Sequence, residues 1–367
     1  MKNTSKDKVS IYLFNAYSNL NPEVNFISGS DRVGINLIDF EKDKPVVIAP
    51  QNFQSLLHKG VFFYSSDNLK SKNLLVCYFK RLIKTIQLIN VIKKDFKIEK
   101  IVSTSDFFPD VIPCFIFSFG LKWYAFTYHL YPLKLNFRDF FGRIIQIFSY
   151  LLFLNSHKVI TSSKECQLFL RKYLFLSKIA KISLGIEISQ YRTNVTKNLN
   201  LVYLGRIKNS KGVYDLPEIV SLVKINIPWV KLNIIGNGSK EDTKKLIDLI
   251  AKYQVTENIQ IFQNLSDKEV IYYLNESSTL LQPSYEEGFG LSVLEGLASN
   301  MNIVLYNLPV YQEHFKDFNL TYIELGDRKG FAERIIEIIS TRTQVSYPLE
   351  MFKRFSWSYI FSFIYKD

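Results

Sequence analysis

The residues best suited to chemistry in this 367-residue chain lie in one stretch, Pro283-Ser284-Tyr285-Glu286-Glu287-Gly288-Phe289-Gly290-Leu291-Ser292-Val293-Leu294-Glu295-Gly296. The apolar run Thr279–Leu281 before it reads as a buried strand, and residues 291–299 after it read as a helix. A glycine-flanked turn between strand and helix leaves backbone N–H groups at the positive end of a helix dipole, an arrangement that suits a phosphate. Glu287 and Glu295 bracket this turn. Carboxylates are poor phosphate ligands and good acceptors for sugar hydroxyls. Phosphate between two hydroxyl acceptors describes a nucleotide-sugar better than a free nucleotide.

Two further glycine-bearing stretches sit where strands should end. Gly205-Arg206-Ile207-Lys208-Asn209-Ser210-Lys211-Gly212 could bring Arg206 and Lys211 onto a diphosphate. A surface turn with two basic residues is the other reading. Gly236 and Gly238, in Ile235-Gly236-Asn237-Gly238-Ser239, lack the third glycine of a dinucleotide fingerprint, so their expected use is close approach of backbone to a ligand. His129 ends a strand of the first half among aromatic residues, and a lone histidine is more often structural. The sequence has no HExxH, no Cys/His cluster and no paired-acid strand end, so neither a metal nor another cofactor is expected. It also has no GxSxG elbow, which removes the usual hydrolase reading.

These stretches need a scaffold of alternating strands and helices. In the first half, strands are expected at 9–15, 46–49, 101–103, 123–127 and 158–161, with helices over 73–98, from about Pro109, and over 134–155. Residues 188–198 are polar and read as a linker. The pattern then restarts, with strands at 199–204, 230–235, 259–262, 279–281 and 302–305. Helices over 211–225, 240–253, 267–276 and 328–340 alternate with them. Two doubly wound α/β domains with mainly parallel sheets are the expectation. The aromatic segment 355–361 reads as a final helix in need of an apolar surface.

Charge is divided unevenly. Residues 1–200 hold 28 Lys/Arg against 14 Asp/Glu, and the remainder holds 18 against 20. No nucleic-acid-binding signature accompanies the basic half. It could meet anionic lipid headgroups instead, and the expected helix over 73–98 is both basic and amphipathic. A solvated surface in a Lys-rich protein is the alternative. Three cysteines, Cys77, Cys114 and Cys166, lie far apart and fit a reducing compartment. The longest uncharged stretches are about half of what a membrane-spanning helix needs, so a cytoplasmic, non-spanning protein is expected.

Together the motifs of the second half resemble the retaining glycosyltransferases of family GT4. Glu287 to Glu295 matches the family's E-x7-E motif, and Gly205 to Gly212 its G-R-x4-K-G element. Leu280-Leu281-Gln282-Pro283-Ser284 is similar to the strand leading into that motif, and Ser183-Leu184-Gly185-Ile186-Glu187 to the family's hinge. The resemblance implies a GT-B fold: two Rossmann-like doubly wound parallel-sheet domains facing a central cleft. Residues 1–187 would bind acceptor, residues 188–350 would bind the nucleotide-sugar, and residues 351–367 would form a helix returning to the first domain. Arg206 and Lys211 would bind the donor diphosphate, Glu287 the transferred sugar and Glu295 the ribose. Gly288, Phe289, Gly290, Leu291 and Ser292 would contact sugar and phosphate through backbone, with Gly236 and Gly238 alongside. His129 matches the family's first-domain histidine facing the sugar. Gly29 and Ser30 would stand for the acceptor-side glycine loop, although the usual double glycine is missing. The implied activity is metal-independent transfer of a hexosyl unit from a UDP- or GDP-sugar to a surface glycan or lipid-linked acceptor, with the leaving phosphate as base. A nucleotide-sugar epimerase of the same fold and a degenerate, non-catalytic subunit are the alternatives.

Overall fold

The computed structural model describes residues 6–17, 29–58, 60–67, 74–128, 130, 137–192 and 197–365. The chain forms two compact units, Met1–Leu184 with Trp357–Asp367, and Gly185–Ser356. The sequence placed these changes at 187/188 and 350/351. The second lies later because the turn Leu349–Phe355 buries Phe352 and Phe355 against Phe315 and Phe318 of the second unit.

The first unit has seven parallel strands among the described residues: β1 Lys8–Leu13, β2 Lys44–Ala49, β3 Phe62–Ser65, β4 Lys97–Ser103, β5 Lys122–Thr127, β6 Lys158–Thr161 and β7 Ile179–Lys181. Their order is β3-β2-β1-β4-β5-β6-β7. The helices are α1 Gly29–Ile38, α2 Leu74–Asp95, α3 Phe108–Phe117, α4 Phe137–Leu152 and α5 Lys164–Leu174. Strands β1, β2 and β5 are buried along almost their whole length, as parallel strands covered on both faces must be.

The second unit has six parallel strands: β8 Asn198–Leu204, β9 Leu232–Ile235, β10 Ile259–Phe262, β11 Ser277–Gln282, β12 Asn302–Tyr306 and β13 Thr321–Ile323. Their order is β10-β9-β8-β11-β12-β13. Helices α6 Leu216–Asn226, α7 Lys240–Lys252, α8 Asp267–Glu276, α9 Leu291–Ala298, α10 Pro309–Phe315 and α11 Arg328–Ser340 alternate with them. Side-chain caps mark several starts: Ser239 on α7, Asp327 on α11, and a Ser266/Glu269 capping box on α8. In both units the winding direction reverses between two central strands, β1 and β4 in one and β8 and β11 in the other. Ligands of doubly wound sheets bind outside the strand ends at such a reversal. The last helix, α12 Trp357–Tyr365, belongs to the first unit, where Tyr365 meets the Tyr12 hydroxyl at 3.0 Å and Lys158 donates to the Ile364 carbonyl at 2.7 Å.

Several expectations are corrected. Strands β3, β7 and β13 escaped the sequence reading because they are short, half-exposed sheet edges. The helix expected through residue 98 stops at Asp95, because Lys97 and Ile98 already pair with β1. The helix expected from 211 starts only at Leu216, after two 3-10 turns around Gly212. Gly29 and Ser30 lie in the first turn of α1 rather than in a loop before it.

One buried carboxyl at the reversal point of the first unit gives a testable pH response. Asp110 is fully buried; its carboxyl oxygens accept from the Asn15 N–H at 2.7 Å and the Ser105 hydroxyl at 2.6 Å. Burial pushes its pKa up to about 7, more than these donors pull it down. The native chain therefore binds this proton more tightly than the unfolded chain. The stability contributed by Asp110 should be complete near pH 4, fall as pH rises towards 7, and be gone above, a loss of up to ~4 kcal/mol in all. In melting curves across this range, Asp110→Asn should flatten the slope. An unchanged slope in that variant would remove Asp110 as its source.

Candidate active site

Three loops at the carboxyl ends of the second sheet are tied together through backbone. The Gly205 N–H donates to Ile235 O at 3.0 Å, and the Ile207 N–H to Asn237 O at 2.9 Å. Ser210 O accepts from both Tyr285 and Glu286 N–H, each at 3.0 Å. Two glycines allow this closeness. Gly212 has φ +64°, and a Cβ there would sit 1.6 Å from Pro283 O. A Cβ on Gly236 would sit 1.8 Å from Gly205 O.

On this frame Lys211 and Glu287 meet. Lys211 Nζ lies 2.8 Å from Glu287 Oε1, with side chains 17% and 10% exposed. Lys211 also donates to Glu286 O at 3.1 Å. The Glu287 carboxylate is oriented from β11: Ser284 donates to it at 3.1 Å and Gln282 at 3.4 Å. Gln282 Oε1 in turn accepts from Ser292 in the first turn of α9 at 3.2 Å, so both ends of the amide are used and its orientation is fixed. Tyr203 lies beneath, donating to Arg206 O at 2.9 Å. Burial, then the Glu287 charge, pushes its phenol pKa upward, which keeps it a neutral donor.

The N-terminus of α9 opens beside this pair. Gly290, in the left-handed region with φ +92°, caps the helix without a side-chain acceptor. The first N–H groups of α9 are thus left for an external acceptor, and a Cβ on Gly288 would meet nothing within 4 Å. Phe289 points the other way, packed on His314 and Phe315 with ring centroids 4.5 and 5.4 Å apart. Only its backbone can face a ligand.

Behind the loop stands a second network. Asp215 accepts from Tyr285 at 2.6 Å and Tyr306 at 2.9 Å, and pairs with Arg328 at 2.8 Å. Arg328 reaches Glu218 at 2.6 Å, which also accepts from Tyr253 at 2.8 Å. This fastens Tyr285, two residues before Glu287, to the starts of α6 and α11. Among the described residues, no group of three His, Cys, Asp or Glu side chains is placed to hold a metal ion.

Residues 187–353 match the family glycosyl transferases group 1. They are a group 1 glycosyltransferase domain. The transferase domain carries all of the site just described. Among curated proteins, the chain is 29% identical over 137 residues to a glycogen synthase of Mycobacterium tuberculosis, covering 36% of this chain and 33% of the relative. It is 26% identical over 152 residues to the capsular polysaccharide biosynthesis glycosyltransferase CapM of Staphylococcus aureus, covering 41% and 39%. The chain thus spans about a third of the length of the first curated relatives it matches. Over 97% of both chains it superposes on Anabaena Alr3699/HepE, solved with UDP and glucose, with a TM-score of 0.75 at 16% identity. That likeness carries the fold, and with the two parallel sheets it is GT-B.

Within the transferase domain the structure brings together Lys211, Glu287, Gly288, Gly290, Leu291 and Ser292. Arg206 is exposed on the same loop as Lys211, and Gly236 and Gly238 pack against that loop's backbone. Glu295 is buried one turn into α9, where it accepts from the Tyr191 hydroxyl at 3.1 Å. His129 lies outside the described residues, and Gly29 and Ser30 belong to the first unit. Sequence reasoning missed Gln282 and Ser284 as carboxylate holders, although polar residues ending a buried strand were a usable signal. It also missed Tyr191, Asp215 and Arg328, whose partners are distant in sequence; Tyr191 is 104 residues from Glu295.

Proposed function

We propose that this chain is a retaining, metal-independent glycosyltransferase that moves a hexosyl unit from a nucleotide-sugar, UDP- or GDP-linked, to a glycan or lipid-linked glycan. The observation that carries this reading is the Lys211–Glu287 pair beside the uncapped N-terminus of α9. A diphosphate arriving there competes with Glu287 for the Lys211 ammonium, and the carboxylate so released accepts hydroxyls of the sugar. As the sugar–diphosphate bond breaks, Lys211, Arg206 and the α9 N–H groups take up the charge on the leaving group. The acceptor hydroxyl attacks from the same face and passes its proton to the leaving phosphate. Glu287 positions the sugar and forms no covalent bond, and Glu295 holds the ribose. Two similarities support a UDP-sugar donor and a polysaccharide product: Alr3699/HepE was solved with UDP and glucose, and CapM is named for capsular polysaccharide biosynthesis.

The test is a thermal-shift panel of UDP-, GDP-, ADP- and CMP-sugars, followed by transfer assays with the stabilising donor. A donor at 100 times its dissociation constant should stabilise the fold by about 2.7 kcal/mol. Transfer should persist in excess EDTA, because cationic side chains and the helix end supply the charge; loss that returns with a divalent ion would overturn metal independence. No stabilisation by any sugar nucleotide would favour a non-catalytic subunit. Conversion of donor alone, followed by NMR, would favour an epimerase.

A further inference from the structure

The second sheet carries amides where an apolar face is expected. Parallel strands covered on both faces read as continuous apolar runs, yet β9 is Leu-Asn-Ile-Ile and β10 is Ile-Gln-Ile-Phe. Asn233 and Gln260 pair directly across these strands, so their side chains leave the sheet on the same face. Leu232, Ile234 and Ile259 enter the core from the opposite face. On the amide side, the amino ends of β8 to β11 and the last turn of α8 line a cavity of about 260 Å³.

Asn198, Asn200, Asn233 and Asn258 line it together with Gln260 and Tyr273. Asn258 is only 3% exposed, and its Nδ2 donates to Pro228 O at 3.1 Å and to Val230 O at 2.8 Å. With Nδ2 turned to that loop, Oδ1 is left for the cavity, and no described residue donates to it. A buried carbonyl oxygen is normally paired, so this one calls for a donor from outside the chain.

The lining narrows the class of that donor. An anion is disfavoured: Lys231 is the one lysine or arginine of the lining, its ammonium already donates to Glu257 O at 2.6 Å, and the Glu276 carboxylate shares the wall. An apolar ligand would leave the amides unpaired. Each amide offers both a donor and an acceptor, as a sugar hydroxyl does. Tyr273 adds a flat apolar surface for the C–H face of a sugar ring, steadied by Phe262 with ring centroids 4.7 Å apart. Trp229, 56% exposed, stands on the loop between the two carbonyls that Asn258 holds.

We propose that this cavity is a second carbohydrate site, which holds a sugar residue of a neutral glycan and takes no part in bond formation. Its volume lies at the small end for ligand sites, suiting one residue of a longer chain. It opens at the amino ends of strands whose carboxyl ends carry Lys211 and Glu287, and the six residues of β11 alone separate the two by about 20 Å. A growing glycan held here stays with the enzyme between transfers. That use rests on the transfer reaction proposed above; the binding itself does not.

The experiment is affinity electrophoresis of the whole protein, without sugar nucleotide, in native gels containing glycogen, dextran, galactomannan or no polysaccharide. At least one polysaccharide should retard the protein. Tyr273→Ala and, separately, Gln260→Ala should each raise the dissociation constant by about tenfold. Gln260 is exposed, so its variant should melt as the parent does. Lys211→Ala should be retarded as the parent is. Hydrogen exchange with the retarding polysaccharide should slow in 230–233 and 267–277 and stay unchanged in 205–212 and 283–292. No retardation in any gel, the result for a cavity that holds only water, would overturn the proposal. So would undiminished retardation of both cavity variants, or protection confined to the donor loops or to the first unit. Transfer of a sugar by the parent is measured separately, so either reading can fail while the other stands.

Discussion

Replacing Lys211 by alanine should lower kcat for sugar transfer by about two to three orders of magnitude, as loss of one preorganised charge stabiliser does. Glu287→Ala should lower kcat/KM at least as far, because the transferred sugar loses its hydroxyl acceptor and Lys211 loses its anchor. The two effects should not add. Each side chain is held by the other across 2.8 Å, so the double variant should be scarcely worse than either single one. Lys211→Arg should fail to rescue, since the space beside Glu287 and the Glu286 carbonyl is filled by one compact ammonium. Steady-state kinetics with the donor found by thermal shift, alongside melting temperatures, would decide the matter. Near-normal transfer by Lys211→Ala and Glu287→Ala would refute the assignment of the site.

Gly212→Ala should be nearly as damaging by a different route. The residue sits at φ +64°, and the added methyl would lie 1.6 Å from Pro283 O, far inside contact distance. A left-handed alanine alone costs on the order of 1 kcal/mol, and relief of the clash requires the Gly205–Gly212 loop to part from Pro283. A total of about 2–3 kcal/mol corresponds to a fall of roughly 4–12 °C in melting temperature for a unit of this size. Donor binding should fall with it, because Lys211 immediately precedes this glycine. Gly288→Ala provides the control: its Cβ meets nothing within 4 Å, so stability should hardly change. Equal melting of Gly212→Ala and the parent would show that the loop contact is dispensable.

The legibility of this chain follows its burial. Central strands such as β11 and β12 are buried at every residue, and their apolar runs are visible in sequence; the half-exposed edges β3, β7 and β13 are only three or four residues long and do not stand out from their surroundings. Lys211 and Glu287 could be chosen from sequence because each stands beside a glycine at a strand end. Their pairing could not, since it depends on Gly212 meeting Pro283, a contact between loops remote in the chain. The same holds for the Asp215–Arg328–Tyr285 network, whose members look like ordinary surface residues until three helix and loop ends converge.

The double acceptor at Ser210 and the Gly205–Ile235 and Ile207–Asn237 links have an evolutionary consequence. A cradle made of main-chain hydrogen bonds asks for a few glycines and little else, so it can persist while side chains drift. Positions such as Lys208 and Asn209, exposed on this frame, can then be exchanged during divergence without rebuilding it. New donor preferences become accessible through single substitutions at the rim, while the loops beneath remain in register.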